Sequence, residues 1–276
     1  MKQSLETYFI KQFKSNYIGD DGAIIGKMVM VQDAFFENIH FKREWFSLDQ
    51  IAYKSVAVNI SDIYAMNAIP KYALLTVAIP KTYSKKDLEL LANGFKKASK
   101  DFEFEIVGGD TIANSKLDIS VTVIGELRGK PILRSGAKVG DFLAYTGTLG
   151  KTKRDLEKLF QGRKIRKDSP FLKPVLQKDF IYKASKYITS GLDISDGLFS
   201  EMGHISKESR IRFKLLKNIP KKIGCSGEEY QFLFTFKSKY LKEMIALAKS
   251  LNTKINIFAR VVQKRNYLDI CQANHF

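Results

Sequence analysis

Cysteine is nearly missing from this 276-residue chain, where Cys225 and Cys271 are the two that occur. Neither has a CxxC partner or a neighbouring histidine pattern. A zinc centre and a disulfide-stapled framework are therefore not expected, and a reducing cytoplasm fits best. Histidine is equally sparse, with three residues in the whole sequence, and no nucleophile–base pair is visible. No apolar run reaches the roughly 18 residues of a membrane span, so no membrane association is expected. The opening segment MKQSLETYFIKQFKSN has neither an apolar h-region nor a small-residue cleavage site. It reads as an amphipathic helix of the mature chain. Internal repeats and low-complexity tracts are also lacking.

What is present is an ordinary globular composition, 45% hydrophobic and 27% charged, with a large excess of positive charge, +17. Such a charge admits a polyanion partner, because lysines release counterions from phosphate backbones. The lysines are spread over almost every segment, however. The one dense stretch, 151–173, mixes in acids at helical spacing. A solvated basic surface is the better reading, and nucleic acid is not an expected partner.

The periodicities predict an α/β (mixed α+β) protein in two lobes. Residues 23–33 read as short strands around Gly26-Lys27. Ser47 and Gln50 form a capping box that opens a helix stopping near Pro70. Residues 72–79 read as a buried strand, and Ser84 to Asp87 caps a helix with Leu88, Leu91, Phe95 and Ala98 on one face. Leu117, Ile119, Val121 and Val123 alternate as in a half-buried strand. The loop-like segment 134–141 marks a boundary, giving lobes 1–135 and 136–276. The second lobe repeats the mixture: strand 142–146, helices within 153–187, a helix after Asp196, strand 230–236, helix 239–250 and strand 255–263.

The aspartates carry the chemistry. Asp20 and Asp21 lie in a turn before a strand, and Asp33 is placed at a strand end. Asp62 falls within or at the end of a helix, Asp110 in a Gly108-Gly109 turn after a strand, and Asp193 and Asp196 flank Ser195 at a strand-to-helix junction. Hard carboxylate oxygens at such points suit Mg²⁺. Each alone is equally a turn residue or a helix cap. The stretch Tyr145-Thr-Gly-Thr-Leu-Gly-Lys151-Thr152 approaches a phosphate-binding P-loop. Tyr145 stands where the first glycine must be, and a bulky side chain there blocks the loop from folding round a phosphate.

The segments GDDGAII (19–25), DAFFENIHF (33–41), AVNISDIYAMNAIP (57–70), IVGGDT (106–111), LRSGAKVGD with AYTGTLG (133–150), LDISDGL (192–198) and SGEEYQFLFT (226–235) resemble, in order, the thiamine-monophosphate kinase family. That family shares a superfamily with aminoimidazole ribonucleotide synthetase and selenophosphate synthetase. The resemblance implies a homodimer whose N-terminal lobes pair into a barrel, with ATP and several Mg²⁺ in a cleft nearby. It implies Asp21, Asp33, Asp62, Asp110, Asp193 and Asp196 as metal ligands, and Gly109, Asp110, Arg134 and Ser195 as nucleotide contacts. His40 and Glu228 would face thiamine monophosphate. Asp33, Asp62, Asp110 and Arg134 would form the catalytic set. Departures from the family pattern are Val31-Gln32 before Asp33, Ile112-Ala113-Asn114 after the GGDT block, and Ala273 where an aromatic is expected.

The implied reaction moves the γ-phosphoryl group of ATP to the phosphate of thiamine monophosphate. A phosphate monoester is already anionic at neutral pH, since its second pKa is about 6. No base is required; neutralising phosphate–phosphate repulsion is. The alternatives are another ATP-using enzyme of the superfamily or a non-catalytic polyanion-binding protein. Selenophosphate synthetase would need a reactive cysteine near the start, and none precedes Cys225. A hydrogenase-maturation relative would end in cysteine, whereas the sequence ends in Asn-His-Phe.

Overall fold

A computed structural model describes residues 5–263. Cys271 and Ala273 lie outside the described residues. The first lobe is built on a five-stranded sheet in the order β1-β2-β5-β3-β4. The strands are β1 (Ala23–Ile25), β2 (Met28–Phe36), β3 (Ala68–Pro80), β4 (Glu105–Asn114) and β5 (Asp118–Leu127). All neighbours are antiparallel except β3 and β4, which run parallel. Helix α1 (Leu5–Ile10) precedes the sheet, and the parallel pair is joined by α3 (Lys85–Phe102), capped by Ser84 and Asp87 as expected.

Helix α2 (Leu48–Ala65) opens at the Ser47–Gln50 capping box, where the Ser47 N–H donates to Gln50 Oε1 at 3.0 Å. It is buried on almost every side. One face lies on the sheet, another on α3, and a third on the second lobe. A helix that is apolar all round belongs in the middle of a protein. The polar residues it carries inward, Lys54, Ser55, Asn59 and Ser61, therefore have to find partners there.

The second lobe holds another five-stranded sheet, entirely antiparallel, in the order β7-β9-β6-β10-β8. Its strands are β6 (Phe142–Thr146), β7 (Ile188–Asp193), β8 (Arg212–Leu215), β9 (Phe232–Phe236) and β10 (Ile255–Val262). The helices are α4 (Lys151–Phe160), α5 (Lys178–Ala184), α6 (Leu198–Glu208), α7 (Lys221–Gly224) and α8 (Leu241–Ser250). The main hydrophobic core crosses between lobes, joining Val29, Phe35 and α2 to Phe171, Phe180, Phe232 and Phe234.

Two sequence expectations are corrected here. Strand β3 is not buried: Tyr72 and Leu74 are exposed while Ala73, Val77 and Ala78 are covered. Its partner β4 is exposed along nearly its whole length. The Gly108-Gly109-Asp110-Thr111 block is no turn either but the middle of β4, paired with Leu74 to Val77. The register slips between Ala73 and Leu74, a bulge. Gly109 takes up the misfit with φ +149, and a Cβ there would sit 1.8 Å from the Leu75 carbonyl oxygen. Gly109→Ala should therefore lower stability by about 2–3 kcal/mol. Gly108→Ala, whose Cβ would meet only Leu74 Cδ2 at 3.5 Å, should stay within about 0.5 kcal/mol of wild type. Denaturant unfolding of the two variants checks the contrast.

Candidate active site

Strand parity explains the first site residue. Val29, Val31 and Phe35 are the buried side chains of β2, and Asp33 shares their face because side chains alternate with period two. A carboxylate is thus aimed at the core. Asp33 lies inside β2, three residues before its end, rather than at a strand end. Asp62, in the last turn of α2, comes to it from above and hydrogen-bonds with it. Asp193 ends β7 and is buried, with one carboxylate oxygen held by Ser61 Oγ at 2.6 Å. Asp21 arrives from the loop before β1. Asp21, Asp62 and Asp193 each offer a carboxylate oxygen, and these atoms lie within 4.8 Å of one another.

Like charges brought so close, and dry, resist ionisation. Burial first, then neighbouring aspartates, pushes Asp62 and Asp193 well above the ordinary carboxylate value. Asp21 is also raised, chiefly by burial, with Arg134 opposing. Asp33 is lifted to about 6, by burial and by Asp21 and Asp196 against the Asp62 hydrogen bond. An oxygen-only donor set under such repulsion fits a hard divalent cation, which would offset it without a proton.

Arg134 closes the set from the segment between the lobes. Its Nε donates to Asp21 Oδ1 at 3.0 Å, a second guanidinium nitrogen lies 2.9 Å from the same oxygen, and its backbone N–H donates to Asp20 at 2.6 Å. Glu201 was not foreseen. It is 2% exposed, accepts from the Asp196 backbone N–H at 3.0 Å, and is raised well above its ordinary value by burial and then by Asp193. It braces the turn that carries Ser195 and Asp196.

Two cavities meet at this cluster. One, of about 270 Å³, is lined by Asp33, Asp62, Asp193, Asp196 and Tyr230. The other, of about 360 Å³, is walled by Phe41, Trp45, Phe160 and Phe171, with Lys42 and Lys153. His40, Ser195, Asp196 and Glu228 line both. Trp45 and Phe160 meet edge to face at 4.9 Å between ring centres. His40 Nδ1 accepts the Phe36 backbone N–H at 3.0 Å. That bond commits Nδ1 as an acceptor.

Asp110 and Gly109 are not brought to the cluster within one chain. Asp110 pairs with Thr76, Thr76 with Ser120, and Asp33 with Val121 beside it. Asp110 therefore lies three strand spacings from β2, about 14 Å. The near-P-loop is answered as well. Gly150 and Lys151 do open α4, but Gly150 N–H donates to Glu229, whose carboxylate also receives Ser226 Oγ at 2.6 Å. The position a phosphate would take is filled by the chain's own anion.

Fold and site define the class. Residues 19–127 match the family described as AIR synthase related protein, N-terminal domain. The thiamine-monophosphate kinase of Aquifex aeolicus is 30% identical over 255 residues, 82% of each chain. That of Bacillus subtilis is 32% identical over 223 residues, 73% of this chain and 67% of the relative. The chain belongs to the thiamine-monophosphate kinase family. The solved structure AaThiL complexed with AMPPCP and TMP superposes with a TM-score of 0.83 at 26% identity, covering 94% of this chain and 90% of that one.

The raised carboxylates set a pH dependence. The folded chain keeps protons that the unfolded chain has released, so stability without metal falls as pH rises from the ordinary 3.8 through the folded value, about 6 for Asp33. In EDTA the wild type should lose more melting temperature between about pH 5 and 8 than Asp62→Asn. The variant should melt as high or higher near pH 8, and Mg²⁺ should lift it less than wild type. Melting several degrees lower without metal would mark Asp62 as a structural cap instead.

Proposed function

We propose that this chain transfers the γ-phosphoryl group of ATP to the phosphate of thiamine monophosphate, giving thiamine diphosphate. The observation that carries the reading is the junction of an acid-lined cavity with an aromatic one at His40, Asp196 and Glu228. The acid side suits phosphates with their metal, and the aromatic side suits a flat heterocyclic ring. The family relatives, and the AaThiL structure with AMPPCP and TMP, support it.

Asp21, Asp33, Asp62, Asp193 and Asp196 would hold Mg²⁺, which supplies charge neutralisation between donor and acceptor phosphates when bound. Ser61, Glu201 and Arg134 keep those carboxylates in place. His40 donates from Nε2 to the acceptor phosphate, and its proton-free nitrogen is already committed to Phe36. Nothing in this reading depends on a side chain that deprotonates the acceptor. A phosphate acceptor, anionic at neutral pH, needs no such group. In-line transfer follows from seating the acceptor phosphate where the cavities meet. Trp45 and Phe160 take the ring contact that Ala273 cannot make.

The assembly in this reading is a homodimer of lobes 1–135, with lobe 136–276 outside. The exposed apolar residues of β3 and β4, among them Leu74, Ile106, Val107 and Ile112, suit that interface. Gly109 and Asp110 then serve the nucleotide only where their strand faces a site across it.

Purified protein with ATP, Mg²⁺ and thiamine monophosphate should form thiamine diphosphate. Free thiamine should be a poorer substrate by at least about 100-fold in kcat/KM, because its hydroxyl, unlike a phosphate monoester, is not ionised at neutral pH. Asp62→Asn should lower kcat by about two orders of magnitude, roughly 3 kcal/mol of transition-state stabilisation. Comparable turnover of free thiamine would overturn the assignment.

A further inference from the structure

Lys54 is fully buried in α2, with 0% of its side chain exposed. Its ammonium donates to Glu228 Oε2 at 2.7 Å and to the Phe171 carbonyl oxygen at 2.7 Å. It also lies over the rings of Phe171 at 4.1 Å, Phe46 at 5.3 Å and Phe35 at 5.7 Å. The pair joins the central helix of one lobe to a loop of the other. An apolar side chain of similar volume would fill such a slot at no loss of stability, since buried ion pairs rarely repay their desolvation. The pair therefore calls for a reason beyond packing.

The reason lies in its partner. Glu228 keeps 26% of its side chain exposed and lines both cavities. Its backbone is held at φ 57, a left-handed conformation that a side chain tolerates poorly, and its N–H donates to the Ser195 carbonyl oxygen at 2.6 Å. A carboxylate at this junction has two places to go. On the acid side it would add a further negative ligand to the aspartate cluster. On the aromatic side it meets whatever ring enters the cavity walled by Phe41, Trp45, Phe160 and Phe171. The ammonium of Lys54 ties one oxygen beside Phe171, a wall of the aromatic cavity.

We propose that Lys54 is a positioning residue for the acceptor: it fixes Glu228 toward the aromatic cavity, where the carboxylate recognises a cationic or N–H-donating heterocycle. The inference rests on the kinase reading above, whose acceptor carries both a cationic ring and a ring amine. Lys54 itself touches no reacting atom and acts only through Glu228.

The test is a double-mutant cycle on KM for each substrate. Lys54→Met and Glu228→Gln should each raise KM for thiamine monophosphate about tenfold and leave KM for ATP within about twofold. The double variant Lys54→Met/Glu228→Gln should be no worse than the poorer single, because both remove one recognition element. A multiplied effect of about 100-fold would overturn the proposal, as would equal rises in both KM values or an acceptor KM unmoved by Lys54→Met. If Lys54→Met alone does not fold, the double variant, which leaves no unpaired buried charge, is compared with Glu228→Gln. Equal acceptor KM supports the inference, and a further rise overturns it. A wild type inactive on thiamine monophosphate overturns the kinase reading and this inference together; an active one with an unmoved acceptor KM overturns only the second.

Discussion

Mutual repulsion of aspartates held dry at a seam is the constraint on which this structure depends. Asp21, Asp62 and Asp193 come from separate segments, a loop, a helix end and a strand end, and still place oxygens within 4.8 Å. Nothing in the local chain favours that meeting. It is imposed by the packing of α2 between two sheets and by a core that runs from Phe35 through Phe171 to Phe234 without a break. The aromatic burial stabilises the fold, and the acid cluster gives some of that back. A cluster assembled this way costs stability, the usual trade between function and stability.

The supports around the cluster follow the same logic. Several of these carboxylates are tied to a donor: Asp193 to Ser61, Asp21 to Arg134, and Glu201 to the Asp196 backbone N–H. These bonds fix orientation and discharge part of the repulsion. They also explain why α2 is polar in places while apolar overall. Its inward polar residues each serve the seam or their own helix: Lys54 reaches Glu228, Ser61 reaches Asp193, and Asn59 donates back to the Ser55 carbonyl oxygen.

Much of this was legible in the sequence, and what was not has physical reasons. The caps of α2 and α3 are local chemistry, so Ser47, Gln50, Ser84 and Asp87 announced them. Strand β5 showed its period through Ile119, Val121 and Val123, all fully buried. The alternation Val29, Val31, Asp33, Phe35 also contained the inward aim of Asp33, although a strand ending at 33 hid it. Convergence was another matter, because spacing along the chain says nothing about which segments meet. Glu201 and Lys54 stayed invisible for that reason: each matters only through a contact with another segment. Gly108-Gly109 misled because paired glycines signal a turn, whereas here a parallel neighbour at close range requires the missing side chain.

The loop before α4 has the glycines of a phosphate loop and puts them to another use. Gly147, Gly150 and Lys151 supply a glycine-rich turn into a helix N-terminus, which elsewhere attracts phosphate. In this protein Glu229 occupies that positive end through Gly150, while Ser226 and the burial around it hold the carboxylate still. Burial raises the pKa of Glu229 and those hydrogen bonds oppose the rise. An internal anion satisfies the helix end and frees the loop from ligand duty, so Glu229 braces the segment that presents its neighbour Glu228 to the cavities. Adjacent glutamates thus divide the work, one turned inward to anchor the second lobe and the other turned to the junction of the two cavities.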